Sequence, residues 1–392
     1  MNPFNPGAGT QPPELSGRDK VLGDAEVAIS RVLAGRSAQG QILVGLRGVG
    51  KTVLLNRIWA QANQLGANAV LIEANEKRSL PSLLLPELRR ILISLDLRAS
   101  ASDKVKKGMR VFRSFTSGLR LKHGEFEFEF GNVEPERGSA DSGDLEVDLA
   151  ELFVAVAEAA QDHKTSIVLC IDELQNISEV EFGALIMAVH KTTQRSLPLL
   201  LIGAGLPQII ALAGKSKSYA ERLFLYPEIG PLRDEDARQA LEKPVIQENA
   251  SFSSDALDLI LEQTQGYPYF LQEWGKEAWN TAVGPTIQAE DIRRANPLIL
   301  RNLDQNFFRM RFSRLTPSEQ RYLRELAELG PGPQRSGDIA RKLGVSTRKV
   351  GPRRDALVKK GMIYSPAHGD VAFTVPLFDE FMKRVMPDQV QS

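Results

Sequence analysis

Cysteine is almost missing: Cys170 is the only one in 392 residues. No disulfide can close within the chain, and a cysteine-rich metal site is excluded. That usage fits a reducing, cytoplasmic setting. A net charge is also missing, because 49 Lys and Arg balance 49 Asp and Glu. The opening stretch, MNPFNPGAGTQPPEL, lacks the basic and then apolar regions of a signal peptide, and residues 1–14 read as a loose Pro/Gly/Asn-rich arm. Long hydrophobic runs are scarce. The stretch from Leu197 to Gly214 has about the length of a membrane span, but Pro198, Pro207 and three glycines interrupt it. A buried strand, a loop and a helix start are expected there instead. No internal repeat is visible.

What is present begins with an uneven distribution of charge. From Arg301 to the end, 17 Lys/Arg face 10 Asp/Glu, so the remainder is seven units negative. Basic charge gathered at the C-terminus hints at a polyanionic partner. The length suggests two to three domains.

Along the chain, a helical pattern over Asp24 to Ala34 precedes the apolar strand Gln41 to Val44, which runs into a glycine-rich loop. Thr52 to Leu65 reads as a helix and Ala69 to Glu73 as a strand. Further on come a helix over Leu149 to Ala160, a buried strand over Ser166 to Ile171, a helix from Glu179 to Thr192 and a strand over Leu199 to Ile202. Strands alternating with helices imply an α/β fold with a parallel sheet covered on both faces. Residues 101–150 break this order. A basic, helix-like stretch carries Lys104, Lys106, Lys107, Arg110 and Arg113. Alternation in Leu119 to Lys122 and Glu125 to Phe130, on either side of His123-Gly124, predicts an inserted hairpin within about 104–145. The insert is either a packed element or a finger that touches a partner. From Leu232 to Ala295 the pattern is helical without strand runs, and Asn302 to Arg314 reads as a connecting helix.

Two motifs carry chemistry. Gly45-Leu46-Arg47-Gly48-Val49-Gly50-Lys51-Thr52 fits the P-loop pattern G-x-x-x-x-G-K-[ST], with a strand before it and a helix after it. Glycines let the backbone curl so that successive N–H groups face phosphate oxygens, and the helix N-terminus adds partial positive charge. Lys51 is expected on the β- and γ-phosphates of ATP, and the Thr52 hydroxyl on Mg²⁺. The strand Ser166 to Ile171 ends in Asp172-Glu173. Asp172 is expected to hold the magnesium through water, and Glu173 to orient or deprotonate the attacking water.

With these motifs in place, residues 15–300 resemble the AAA+ superfamily, in the branch shared by origin-recognition (initiator) ATPases and signal-transducing STAND ATPases. Ser16-Gly17-Arg18-Asp19 resembles the element before the P-loop that lies against adenine, which implies nucleotide contact for Gly17 and Arg18. DELQ at 172–175 is similar to the family's Walker B, and Gly266-Tyr267-Pro268 resembles the nucleotide-sensing GxP element of the lid, implying roles for Gly266 and Pro268. Two departures matter. Gly203-Ala204-Gly205 stands where the family usually carries a polar sensor, so slow hydrolysis is expected. Arg222 lies where initiator ATPases carry an arginine finger for a neighbouring subunit. A salt bridge or a contact within the chain is the alternative.

The C-terminal region reads as a helix over Leu315 to Leu329 capped by Thr316-Pro317-Ser318-Glu319, a short helix over Ser336 to Leu343, a turn, a third helix to Gly361 and an alternating Met362 to Val375. This order resembles the winged helix-turn-helix domain of initiator ATPases. Between Arg341 and Gly361 eight basic residues, including Arg348, Lys349, Arg353, Arg354, Lys359 and Lys360, face one acid, Asp355, which favours phosphate contact. Pro352 bends or restarts the helix, and a helix beginning there would leave Arg348 and Lys349 in the preceding turn.

The expected architecture is therefore a flexible arm (1–14), a P-loop ATPase core (15–230), a helical lid (231–300) and a winged-helix domain (301–392). The expected activity is that of a Mg²⁺-dependent ATP switch on duplex DNA. Two alternatives stand beside it: a STAND-like sensor whose winged helix binds a protein, and a remodelling ATPase that assembles with ATP into homo-oligomers.

Overall fold

A computed structural model describes residues 1–7, 9–98, 102–123, 134–367 and 369–387. The chain divides into two compact units. One comprises Arg18–Gly45 and Lys51–Glu228. The other comprises Met1–Gly17, Leu46–Gly50 and Ile229–Ser392, so the tip of the glycine loop groups with the C-terminal half.

The first unit is built on short strands that are mostly apolar and buried, the kind that suits a sheet covered on both faces. These are β1 (Gly40–Val44), β2 (Asn68–Glu73), β3 (Ile167–Asp172), β4 (Leu199–Gly205) and β5 (Phe224–Leu225). All pairings are parallel and the order is β2-β3-β4-β1-β5. Register aligns Val44 with Gly205 and Glu73 with Asp172, so the C-terminal ends of β1, β2, β3 and β4 open on one edge. The helices are α1 (Asp19–Leu33), α2 (Lys51–Gln64), α3 (Leu80–Arg98), α4 (Asp103–His123), α5 (Leu145–Asp162), α6 (Glu179–Gln194), α7 (Gln208–Ser216) and α8 (Ala220–Leu223). Helix α5 is apolar nearly all round, with Leu149, Phe153, Val156 and Ala160 buried, as befits a helix sandwiched within a core. Its Asp144 caps the first turn by accepting from Glu146 N–H at 2.9 Å.

Leu119 to Lys122, read from alternation as one arm of a hairpin, lie instead in the last turn and a half of α4. The apolar residues Val105, Met109, Phe112 and Phe115 recur at helical spacing and are buried, and this longer periodicity governs. Glu125 to Phe130 lie outside the described residues. Three basic side chains of α4 are matched within the unit: Lys104 and Lys107 reach Glu158 at 3.0 and 3.8 Å, and Arg110 reaches Glu136 at 3.2 Å. Leu197 to Gly214 form a strand, a loop and a helix, as expected. No helix among the described residues is long and apolar enough to cross a membrane.

In the second unit α9 (Asp234–Gln247), α10 (Ser254–Thr264), α11 (Pro268–Thr281) and α12 (Ala289–Asn302) form a helical group. The expectation of no strand here is corrected in detail: β6 (Ser251–Phe252) and β7 (Thr286–Ile287) pair in parallel beside these helices. Two residues each are too short for a periodic signal. After α12 the chain widens into a π-helical turn, Leu303–Phe308, and closes with α13 (Arg309–Phe312). Then follow α14 (Pro317–Glu328), β8 (Gln334–Arg335), α15 (Ser336–Lys342), α16 (Thr347–Lys359), β9 (Ile363–Tyr364), β10 (Asp370–Phe373) and α17 (Phe378–Val385). The three strands form an antiparallel sheet in the order β8-β10-β9. Phe308 is fully buried against Phe378 and Phe381 of α17, with ring centroids 5.6 and 5.3 Å apart. Burying such a ring contributes roughly 1.5–3 kcal/mol.

Candidate functional site

In the first unit the chemistry gathers at the C-terminal edge of the sheet. Helix α2 begins at Lys51, directly after the glycine loop. The Lys51 side chain is buried, and its ammonium donates to the Gly45 carbonyl at 2.9 Å. One residue on, the Thr52 hydroxyl donates to Asp172 Oδ2 at 2.6 Å. Asp172 ends β3, and its Oδ1 accepts from the Glu173 backbone N–H at 2.8 Å. Burial raises the Asp172 pKa above the usual carboxylate range, while these two hydrogen bonds pull the other way. A nearly buried carboxylate beside a threonine hydroxyl is a fit for a divalent cation, whose charge would offset the desolvation. No cluster of three or more His, Cys, Asp or Glu ligands occurs among the described residues. Magnesium needs none, since phosphates and water commonly fill most of its positions.

Glu173 adopts a left-handed backbone, φ 53°, between β3 and a short 3-10 turn, Leu174–Asn176. Its carboxylate accepts from the Gln175 amide, and Gln175 Oε1 in turn accepts from the Leu206 backbone N–H at 3.0 Å. Gln175 is a polar residue that the sequence reading did not single out. Its signal lay in the glycines opposite: a Cβ at Gly205 would stand 3.1 Å from Gln175 Oε1, and one at Gly203 would collide with Leu174. Gly203 and Gly205 therefore lack side chains because the Leu174-Gln175 turn occupies that space. Arg222, in α8, is exposed, and no acid pairs with its guanidinium among the described residues. Its carbonyl accepts from Gln39 at 2.7 Å. Arg18, at the N-cap of α1, is partly buried.

In the second unit the loop residues Leu46 to Gly50 pack with the elements that follow α10. Gly48 and Gly50 take φ of 84° and 93°, as a curled loop requires. A Cβ on Gly48 would also meet the Tyr267 ring at 2.9 Å. The Tyr267 hydroxyl donates to the Arg47 carbonyl, and the Tyr269 N–H donates to the Gly48 carbonyl at 3.3 Å. Gly266 has φ 69°, and a Cβ there would run into the Leu232 carbonyl. Pro268 opens α11 at its first position, where a missing N–H costs nothing. Gly17, φ 69°, lies against the Asp236 side chain.

Helix α16 runs unbroken from Thr347 to Lys359 through Pro352, so Arg348 and Lys349 are helical and do not precede the helix. Val350 and Leu357, seven residues apart on one face, are buried and anchor it. Arg348, Lys349 and Lys359 are exposed and Arg353 partly so, and none has an ion pair among the described residues. Arg354 is engaged by Asp355 at 3.0 Å, and Lys360 by Glu319 at 2.7 Å and by the Arg314 carbonyl at 3.1 Å.

Residues 14–202 match the family model described as an AAA ATPase domain, and residues 305–382 match a domain of unknown function. No curated protein matches the chain. Among solved structures, a Walker-type ATPase of Pyrococcus abyssi is 18% identical with a TM-score of 0.59, covering 95% of this chain and 97% of its own. The Aeropyrum pernix ORC2 protein, solved in complexes with ADPNP and ADP, is 13% identical with a TM-score of 0.52, covering 97% of each chain. At such identities these likenesses speak for the fold. The family match over residues 14–202 separately supports an AAA ATPase domain, the region that holds the five-stranded parallel sheet apart from β5 and the end of β4.

Proposed function

We propose that the chain is an ATP-hydrolysing switch that binds duplex DNA through its C-terminal module. The observation that carries the ATPase half is the hydrogen bond from Thr52 to Asp172, which joins the start of α2 to the end of β3 beside the buried ammonium of Lys51. In this reading Lys51 leaves the Gly45 carbonyl for the β- and γ-phosphates, and Gly45 to Gly50 offer backbone N–H groups. Magnesium, held by Thr52 and through water by Asp172, supplies charge neutralisation at the phosphates when bound. Glu173 orients or deprotonates the attacking water, and Gln175 fixes its carboxylate. Gly17, Arg18, Gly266 and Pro268 shape the nucleotide's surroundings, Gly17 by admitting the Asp236 side chain and Gly266 by admitting the Leu232 backbone.

The DNA half rests on α16 and on reading its module as a winged helix-turn-helix, a reading supported by the helix order and the three-stranded antiparallel sheet β8-β10-β9. Four basic side chains of α16, Arg348, Lys349, Arg353 and Lys359, have no ion pair among the described residues and suit phosphate oxygens. Nucleotide binding would change how this module is presented, which requires a coupling of about 1–3 kcal/mol between the two ligands. A generic duplex followed by fluorescence anisotropy, with ATP analogue, ADP or no nucleotide, tests the proposal. Steeply salt-dependent binding that differs between ATP and ADP is the expected result. Binding blind to nucleotide would leave the module as an anchor only, and none at low salt would replace DNA with a protein partner, as in a STAND-like sensor. A second reading, ATP-dependent assembly with Arg222 acting on a neighbouring copy, is favoured by the exposure of Arg222 without an acidic partner. Light scattering that detects ATP-dependent oligomers lost in Arg222→Ala would support it.

The site assignment carries its own prediction. Lys51→Ala abolishes nucleotide binding, and Glu173→Gln binds ATP but turns it over at least tenfold more slowly. ATP turnover unchanged in both variants would remove the assignment.

A further inference from the structure

In the second unit two arginines, Arg47 and Arg311, are linked through Gly48, Tyr269 and Phe307, and neither has an ion pair among the described residues. Arg47, from the glycine loop, lays its guanidinium on the backbone of Gly361, where a Cβ would meet Nη2 at 2.8 Å and Nε at 2.9 Å. Its Nε is buried with no hydrogen-bond partner. Arg311, from α13, stacks its guanidinium on Phe307, 3.9 Å from the ring centroid, and donates from Nη1 to the Phe307 carbonyl at 2.7 Å. Phe307 in turn stacks on Tyr269 at 4.6 Å between centroids, and Tyr269 is the residue whose N–H holds Gly48, next to Arg47. The other donors of Arg311 meet no protein acceptor among the described residues.

The electrostatics agree with this geometry. Burial, and next the positive charge of Arg47, bring the Arg311 pKa down to about 10, with Arg314 contributing in the same direction and the two tyrosines against it. No carboxylate figures in this balance. An arginine losing that much proton affinity is close to uncompensated charge, because guanidinium normally stays protonated well above pH 12. A buried donor left unpaired, such as Arg47 Nε, is costly, so an arrangement like this is expected where an anion completes it.

We propose that Arg47 and Arg311 form a two-guanidinium site for an oxyanion of the phosphate class. Guanidinium forks match phosphate oxygens, and two of them supply the charge that one phosphate group carries. Such a phosphate could come from the end of a nucleoside triphosphate or from free inorganic phosphate. The nucleotide source rests on reading the glycine loop as an ATP site, and the free-anion source does not.

The test uses the full chain and Arg311→Met, which keeps length and loses charge. Thermal unfolding is followed in sodium phosphate and in sodium chloride at matched ionic strength, and ATP and ADP affinities are measured with a fluorescent analogue. In chloride, the variant is expected to unfold at or above the wild-type temperature, since like-charge repulsion is removed. Its stabilisation by phosphate, or its preference for ATP over ADP, should fall at least tenfold when expressed as affinity. Phosphate stabilisation that survives in Lys51→Ala assigns the site to the free anion, and loss there assigns it to the nucleotide's terminal phosphate. If Arg311→Met does not fold, Arg311→Lys and Arg47→Met take its place with the same readouts. The inference is overturned if neither phosphate stabilisation nor nucleotide discrimination depends on these arginines. Unchanged phosphate stabilisation and unchanged preference for ATP over ADP in Arg311→Met, with nucleotide binding lost in Lys51→Ala, would overturn it while leaving the ATP reading intact.

Discussion

Glu173 combines an uncommon backbone with a tightly held side chain. A left-handed residue without glycine costs roughly 1–2 kcal/mol, and here the strain aims the carboxylate at Gln175. Gln175 is itself fixed by the Leu206 N–H, so the three residues form a chain from the end of β3 to the end of β4. Replacing Gln175 with Leu should leave nucleotide affinity within about twofold but lower turnover about tenfold or more, because the base loses its orienting partner. Steady-state ATPase assays beside nucleotide titration separate the two effects, and unchanged turnover would assign Gln175 a purely structural role. The glycine loop and Asp172-Glu173 were legible in the sequence because their chemistry lies in consecutive residues. Gln175 was not, because its meaning depends on Gly203 and Gly205, which are close only through strand pairing.

Caps and periodicities are written locally, and the element scale reflects this. The pattern Thr316-Pro317-Ser318-Glu319 was expected to start a helix, and α14 begins with that capping box: Glu319 N–H donates to Thr316 Oγ1 at 3.3 Å, and Thr316 N–H to Glu319 Oε2 at 2.7 Å. The same carboxylate also takes the Lys360 ammonium at 2.7 Å, a contact across 41 residues that no local pattern encodes. Burial alone would raise the Glu319 pKa, but Lys360 and the Thr316 donors outweigh it, and the net shift is downward. A folded-state pKa below the unfolded one stabilises the module in full above the ordinary value of 4.5 and loses that effect as pH falls through the folded value. Glu319→Gln should therefore destabilise by about 1 kcal/mol near neutral pH, discounted for the partial exposure of Lys360. The difference from wild type should vanish in acid. Denaturant unfolding at pH 7 and near pH 3 checks the sign, and a gap that widens in acid would refute it. The helix α4 teaches the opposite lesson. Four alternating residues, Leu119 to Lys122, suggested a strand, yet they continue a helix already nucleated by sixteen residues before them.

For the whole molecule, composition pointed to a basic C-terminus, and the structure narrows eight candidate charges to the few that protein partners leave open. Arg348 and Lys349 are the clearest, both exposed on the first turn of α16. The double substitution Arg348→Ala/Lys349→Ala should weaken duplex binding alike for different sequences and reduce the salt dependence by about two counterions. Anisotropy across a salt series measures both, and an unaltered slope would place the DNA elsewhere. The strand order β2-β3-β4-β1-β5 was beyond reach of the sequence, which implies parallel strands but not their neighbours.

The π-helical turn at Leu303–Phe308 acts on phase. An α-helix turns about 100° per residue, so accommodating one extra residue in a turn resets the direction of everything downstream by that angle. Phe307 and Phe308 lie at the end of this turn, where Phe307 stacks on Tyr269 of α11 and Phe308 packs into α17. The bearing of Arg311 is set by the same offset. The length of this segment is thus a setting of angle more than of distance, and losing a single residue would turn the C-terminal elements as a key turns in a lock rather than draw them closer.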